Sequence, residues 1–403
     1  MQRIYFDHSA TTPVHPEVTA VMLEYLSGKF GNPSSVHSYG REARSAVDAA
    51  RRQVAALIGA AADEIFFTSG GTEADNLALK GVAYANRSRG NHIITSAIEH
   101  HAVLHTCDYL SKQGFDITYL PVDRYGMVSV ESVAAAIREQ TILISIMYAN
   151  NEVGTLQPIS EIGALARQRG ISFHTDATQA VGHWPVDVAA ENIDLLTMAG
   201  HKFNAPKGVG ALYIRRGVKL EAVQQGGGHE RNMRAGTENV PGIVALGKAA
   251  EIARRDMPRQ IAHLQEMRTR LIEQVLATIP QVQLNGHPVQ RMPGSANFSF
   301  DGIEGESLLL NLDLAGVAVS SGSACTAGAT EPSHVLLAMG LSREAAAGSL
   351  RISMGLGNTA ADVDYFLTVL TDIVGRLRSL SPQDTAPPGQ PFAGAAAPSQ
   401  PQA

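Results

Sequence analysis

The chain has 403 residues, 44% apolar and 17% charged, with 32 Lys plus Arg against 38 Asp plus Glu and a formal charge of −6. That length allows two or three domains, and the mild acidity, with no Arg/Lys run, excludes a nucleic-acid partner held by a basic patch. The longest apolar run, in TILISIMYA (141–149), is too short to cross a bilayer, so no membrane association is expected.

The N-terminal MQRIYFDHSATTP has neither the charged start nor the apolar core of a signal peptide. Cys107 and Cys325, 218 positions apart, describe no disulfide framework. A reducing cytoplasm is therefore the expected compartment.

Between residues 64 and 215, seven short runs read as strands: EIFFTS, HIITS, DITYLPV, TILISIMYA, ISFHTDA, DLLTMAG and GALYIR. Helical stretches separate most of them, among them TEADNLALKGVAYANR and SEIGALARQRG, the latter opening at Ser160 and stopping at Gly170. This alternation predicts an α/β fold, a mostly parallel sheet with helices on both faces and ligands at the strands' carboxyl ends. Residues 243–280 predict one long helix, because the stripe Ile261, Leu264, Met267, Leu271 and Val275 continues past Pro258. It leads into a second, smaller domain. The segment 381–403, rich in Pro, Ala and Gln, has too little apolar surface to fold and is expected to be disordered.

Three pieces carry chemistry. FTSGGTEADN (67–76) follows a strand and opens a helix, so its glycines and Thr72 suit a phosphate, although a plain turn reads the same way. Asp176, in FHTDATQAVG, ends a buried-looking strand, where a carboxylate needs a positive partner or a helix to cap. Lys202, in MAGHKFNAPKGVG, follows another strand; Lys207 reads as solvated. A phosphate cradle, an acid for a pyridinium nitrogen and an amine for a Schiff base together match pyridoxal 5'-phosphate. APKGVG lacks the spacing of a P-loop.

The chain also closely resembles the NifS/IscS-type cysteine desulfurases, in the class V aminotransferase-like group of fold-type-I pyridoxal-phosphate enzymes. The likeness runs in order through YFDHSATTP, FGNPSSVHSYG, FTSGGTEADN, IEHHAV, ANNEVGTLQPI, HTDATQAVG, GHKFNAPKGVG, GGGHERNMRAGTEN, SSGSACTAGATEPSHVL and LRISMGLGNT, from Tyr5 to Thr359. NAPKG, RAGTEN and the Pro-rich tail look more like the nitrogenase-associated NifS branch than the housekeeping one.

The resemblance implies a mixed seven-stranded sheet in a large cofactor-binding domain (16–262). It implies a small α/β domain (1–15 and 263–380) carrying a mobile cysteine loop (320–330). Lys202 would hold the cofactor as a Schiff base and move protons, Asp176 would pair with the ring nitrogen, and Gln179 would bind the ring's phenolate oxygen. His100 would stack on the ring and serve in acid–base steps. Gly71, Thr72 and His201 would hold the phosphate, with Thr237 reaching it from the other subunit of a homodimer. Asn151 and Arg351 would orient L-cysteine, Arg351 by a bidentate grip on the carboxylate. Many relatives carry Ser where this chain has Ala199, which removes one phosphate hydroxyl.

Cys325, set among small residues in SSGSACTAG (320–328), would take sulfur from the substrate as a persulfide and pass it to an iron–sulfur scaffold protein. The alternatives are a related selenocysteine lyase or aminotransferase, although a transaminase needs no thiol, and a non-catalytic docking protein of cluster assembly. Cys107 is expected to be inert core. His101 and His105, four apart on a helix, lack the further ligands a zinc site needs, so no metal is expected.

Overall fold

The computed structural model describes residues 3–321 and 332–380. Cys325 and the tail 381–403 therefore lie outside the described residues.

The chain begins with β1 (Ile4–Tyr5), α1 (Pro16–Ser27) and α2 (Ser38–Leu57). An alternating series follows: β2 (Ile65–Thr68), α3 (Gly71–Ala85), β3 (His92–Ser96), α4 (His101–Lys112), β4 (Asp116–Leu120), α5 (Val130–Ala136), β5 (Thr141–Ser145), α6 (Ile159–Arg169), β6 (Ser172–Asp176), β7 (Leu195–Ala199) and β8 (Gly210–Ile214). These seven strands, β2 to β8, coincide with the seven runs read from the sequence. α6 starts at Ile159, one residue before the expected Ser160, and stops at Gly170 in the left-handed region (φ 65°).

The strands form one sheet in the order β2-β8-β7-β6-β5-β3-β4. β8 runs antiparallel to both neighbours and the remaining contacts are parallel, so the sheet is mixed. Central strands such as β5 and β7 are buried along their whole length. That is why they read as unbroken apolar runs rather than alternating ones. One face packs on α2, α6 and the first half of a later long helix, with Val47, Val54, Ile162, Ala166 and Leu246 in the shared core. The other face packs on α3 and α4 through Leu77, Val82, Val103 and Cys107.

After the short pair β9 (Gly228–His229) and β10 (Arg234–Ala235) comes α7 (Val240–Thr278). At 39 residues it is about 58 Å long. Its residues up to Met257 belong to the core of the large sheet, whereas Leu264, Met267, Leu271 and Val275 belong to a second core. A single helix thus serves two cores, because its apolar stripe continues through Pro258. Each buried side chain of that stripe contributes roughly 1.5–3 kcal/mol.

The second core is built on β11 (Val282–Asn285), β12 (Ser295–Phe300), α8 (Gly305–Leu314), β13 (Val317–Ala318), α9 (His334–Ala338), α10 (Arg343–Ala347), β14 (Ser349–Ser353) and α11 (Ala360–Leu380). β11, β12 and β14 form an antiparallel sheet. The chain's start joins this unit: β1 pairs with β13, and Ile4 and Phe6 enter its core. That return brings residues 7–12 alongside the carboxyl ends of the large sheet. No described helix is long and apolar enough to cross a membrane.

Candidate active site

A cavity of 380 Å³ opens at the carboxyl ends of the large sheet. Strand order reverses there although the strands stay parallel: β3 is followed outward by β4 on one side, whereas β5, β6 and β7 are added on the other. Such a switch point leaves a crevice between diverging loops. Gly71, Thr72, Asp75, His100, Asn151, Asp176, Gln179, His201, Lys202 and Arg351 all line it, together with Ser9 and Ala10 from the returning N-terminus.

The turn from β2 into α3 forms one wall. Gly70 caps the helix without a side-chain hydrogen bond, which leaves the first N–H groups of α3 open. β8 lies against this turn so closely that a Cβ on Gly210 would sit 2.8 Å from the Gly70 Cα. A Cβ on Gly71 would come within 3.0 Å of Thr178 Oγ1. The result is a bare backbone cradle at a helix start, suited to an anion.

Asp176 ends β6 and is 6% exposed; its Oδ1 accepts the Thr178 N–H at 2.9 Å. Beneath it lies Asp75, 1% exposed, with an Oδ1 that has no hydrogen-bond partner. Burial, and then the charge of Asp176, hold the Asp75 carboxyl well above the usual carboxylate range. His174 touches Ser145 Oγ at 2.9 Å and Thr197 Oγ1 at 3.1 Å. Burial lowers it to about 4, so it is neutral near pH 7.

His100 is the N-cap of α4. Its Nδ1 accepts the Ala102 N–H at 3.1 Å, which leaves the proton of the neutral ring on Nε2. Burial lowers its pKa; Asp176 opposes this and Lys202 adds to it. The Lys202 Nζ donates to the Ser9 carbonyl at 2.5 Å and the Ala10 carbonyl at 2.9 Å. The Lys202 carbonyl in turn accepts from His183 Nε2 at 2.7 Å, which fixes the turn after β7. Gln179 Nε2 donates to the Ser9 carbonyl at 3.0 Å. His201 Nδ1 lies 3.2 Å from Thr11 Oγ1, and burial followed by Lys202 lowers its pKa to about 4.

Arg351, on β14, is 2% exposed. Its Nη1 donates to the Asn151 carbonyl at 3.1 Å and its Nη2 to Asp7 Oδ1 at 2.7 Å, while Nε is buried without a partner.

The fold thus gathers nearly every residue singled out from the sequence. Thr237 is the exception among the described ones: it is exposed between β10 and α7 and does not line the cavity of its own chain. Cys107 is fully buried, and burial pushes its thiol well up. The His101 ring stacks on His105 and also meets His334, both at 4.9 Å. Among the described residues the one group with metal-ligand spacing is Asp75, His100 and Asp176, inside the cavity itself. Sequence reading missed Asp7, Ser9, Asp75 and His183, although the first two stand in the quoted YFDHSATTP and Asp75 in FTSGGTEADN.

The residues present fit pyridoxal 5'-phosphate. The uncapped start of α3 with Thr72 suits its phosphate, and the buried Asp176 its ring nitrogen. Lys202 suits its aldehyde, and His100 sits on the cavity wall. Arg351, whose buried Nε has no partner, lines the same cavity. Ala199 lines the same wall without a hydroxyl to offer.

The aminotransferase class-V family model matches residues 4–366. The chain is 56% identical to a protein named cysteine desulfurase IscS from Methanosarcina thermophila, over 94% of each chain. Among solved structures it is similar to a NifS-like protein, with a TM-score of 0.88 and 39% identity, covering 93% of this chain and 100% of that one. A structure described as SspA in complex with cysteine aligns with a TM-score of 0.77 and 38% identity, over 88% of this chain and 99% of that one. With a mixed seven-stranded sheet, a pyridoxal-phosphate-type pocket and a family match along almost its whole described length, the chain belongs to the aminotransferase class-V family.

Proposed function

We propose that this chain is a pyridoxal-phosphate-dependent cysteine desulfurase that supplies sulfur for iron–sulfur cluster assembly. The observation that carries the reading is the convergence of Lys202, Asp176, His100 and Arg351 on one cavity, in a chain 56% identical to a named cysteine desulfurase. In the net reaction the substrate's Cβ–S bond breaks and an S–S bond forms to Cys325. The β-carbon takes a proton, giving L-alanine and an enzyme persulfide, so no external oxidant is needed for this half.

When bound, the cofactor withdraws electrons from the substrate's α-carbon and so weakens the bond to sulfur. Asp176 keeps the ring nitrogen protonated, and Gly71, Thr72 and His201 hold the phosphate. Lys202 Nζ attaches the cofactor and moves protons; its bonds to the Ser9 and Ala10 carbonyls hold it at the cavity wall. Neutral His100 presents an Nε2 proton and takes part in acid–base steps. Arg351 grips the substrate carboxylate beside Asn151.

Cys325 lies outside the described residues, yet both flanks of its segment support the assignment. Ser320 exchanges backbone hydrogen bonds with Arg351, at 3.2 and 2.6 Å. On the far side, Ser333 Oγ donates to Glu152, the neighbour of Asn151, at 2.5 Å. A homodimer is supported by the exposed Leu23, Leu26, Phe30, Val36 and Tyr39, a run of apolar surface along residues 23–39. Thr237 then reaches the phosphate of the other subunit. The sulfur acceptor is an iron–sulfur scaffold protein, and the compartment is the cytoplasm. NAPKG, RAGTEN and the Pro-rich tail support supply of nitrogenase clusters as the finer reading.

The test is direct. Purified protein should be yellow and release alanine and sulfide from L-cysteine with a reductant. Cys325→Ala should stay yellow and lose desulfuration; normal turnover by that variant removes Cys325 from the reaction.

A further inference from the structure

Arg351 does not wait for a substrate unpaired. Asp7 Oδ1 accepts its Nη2–H at 2.7 Å, and the pair is largely buried, with side-chain exposures of 2% for Arg351 and 19% for Asp7. Asp7 reaches the cavity because β1 joins β13 and because Asp7 itself bridges to Ser353, two residues beyond Arg351. The guanidinium's other contacts are Nη1 to the Asn151 carbonyl at 3.1 Å and a buried Nε without a partner. Both edges on which a guanidinium can take a carboxylate by two parallel hydrogen bonds, Nε with Nη2 and Nη1 with Nη2, include the atom that Asp7 holds.

Resting on the substrate reading above, we propose that Asp7 is an internal counter-ion that the substrate's carboxylate must displace from Arg351, so that it sets the affinity for the amino acid. In the ligand-free protein Asp7 compensates a guanidinium that would otherwise be a buried, unpaired charge. When a substrate carboxylate arrives, two anions compete for one cation in a site with little water to screen them. Asp7 therefore stabilises the empty site and opposes the filled one. Its effect is confined to ligands that carry a carboxylate.

The experiment is an equilibrium titration of the holoenzyme, followed by the visible absorbance of the bound cofactor. L-alanine, which has the carboxylate but no thiol, is compared with ethylamine, which has neither. Asp7→Asn should bind L-alanine about tenfold more tightly than wild type, with ethylamine changed less than about twofold. In turnover the KM for L-cysteine should fall by a similar factor. An L-alanine Kd that is unchanged or weaker, with ethylamine unaffected, overturns the proposal.

Asp7→Ser serves the same comparison if the Asn variant does not fold. A wild-type crystal grown with L-alanine supplies a reading that needs no variant. The Asp7–Arg351 contact should open beyond about 3.5 Å, and a retained short contact beside a bidentate alanine carboxylate overturns the proposal. If wild-type absorbance responds to neither L-alanine nor L-cysteine, the function assigned above has failed instead.

Discussion

Replacing Glu230 by Ala tests how the cradle wall is held. Glu230 sits in the left-handed region (φ 43°) between β9 and β10. Its carboxylate accepts Arg51 Nη1 at 2.7 Å, Arg51 Nη2 at 2.6 Å and the Phe67 N–H at 2.9 Å. Arg51 also donates to the Ile65 carbonyl at 2.7 Å and lies 4.6 Å above the Phe67 ring. The two charged side chains are 7% and 2% exposed. Truncating Glu230 leaves a guanidinium in a dry site, which costs about 3–5 kcal/mol, and orphans the Phe67 N–H, for roughly 1–3 kcal/mol more.

A loss of at least about 4 kcal/mol is expected in urea unfolding of the holoenzyme, because these terms overlap. Cofactor release should come first, since β2 carries Phe67 directly into the turn at Gly70 and Gly71. The double variant Glu230→Ala/Arg51→Met should recover much of the loss by removing the stranded charge. A single-variant loss below about 1 kcal/mol, or a double variant no more stable than the single, would refute this account of the wall.

Lys202→Ala should fold and bind the cofactor only noncovalently, so the absorbance of the lysine-bound form disappears; an unchanged spectrum removes Lys202 from its role. Glu99 gives a pH prediction. Burial raises its carboxyl to about 8, so above the ordinary carboxylate range the folded chain keeps a proton that the unfolded chain has lost. Stability therefore falls as pH rises towards about 8, by up to about 1.4 kcal/mol per unit. Buried His174 and His201, lowered to about 4, act with the opposite sign only below about pH 6.5, and Glu152, raised to about 7, has the same sign as Glu99. Buried Asp75, held well above the carboxylate range, adds to the same fall, so between pH 7 and 8 Glu99→Gln should reduce the slope of the unfolding free energy against pH without abolishing it. An unaltered slope would show that Glu99 is ionised in the fold.

Much of the scaffold was legible in the residues because it is encoded locally. Strands buried on both faces are largely apolar, and β2, β5, β7 and β8 announce themselves as such runs, whereas the edge strand β4 is mostly exposed and is marked by its β-branched and aromatic residues. The stripe from Ile261 to Val275 keeps helical period through Pro258, and α7 follows it. The motifs around Gly71, Asp176 and Lys202 were visible for a related reason: each stands where a strand ends and the chain must turn, so its chemistry and its local structure coincide. Asp75 escaped notice because within α3, after the first-turn acid Glu73, it looks like one more helix acid.

Read alone, the sequence settles which short segments become strands or helices and which side chains can bear charge at their ends, since period and propensity act over a few neighbours. Which charges meet is a different matter. Asp7 and Arg351 are 344 positions apart, and Arg51 and Glu230 179. No local pattern fixes those encounters. They exist because β1 returns to β13 and the segment around Glu230 folds back onto β2, and ion pairing at such distances along the chain depends on that packing alone.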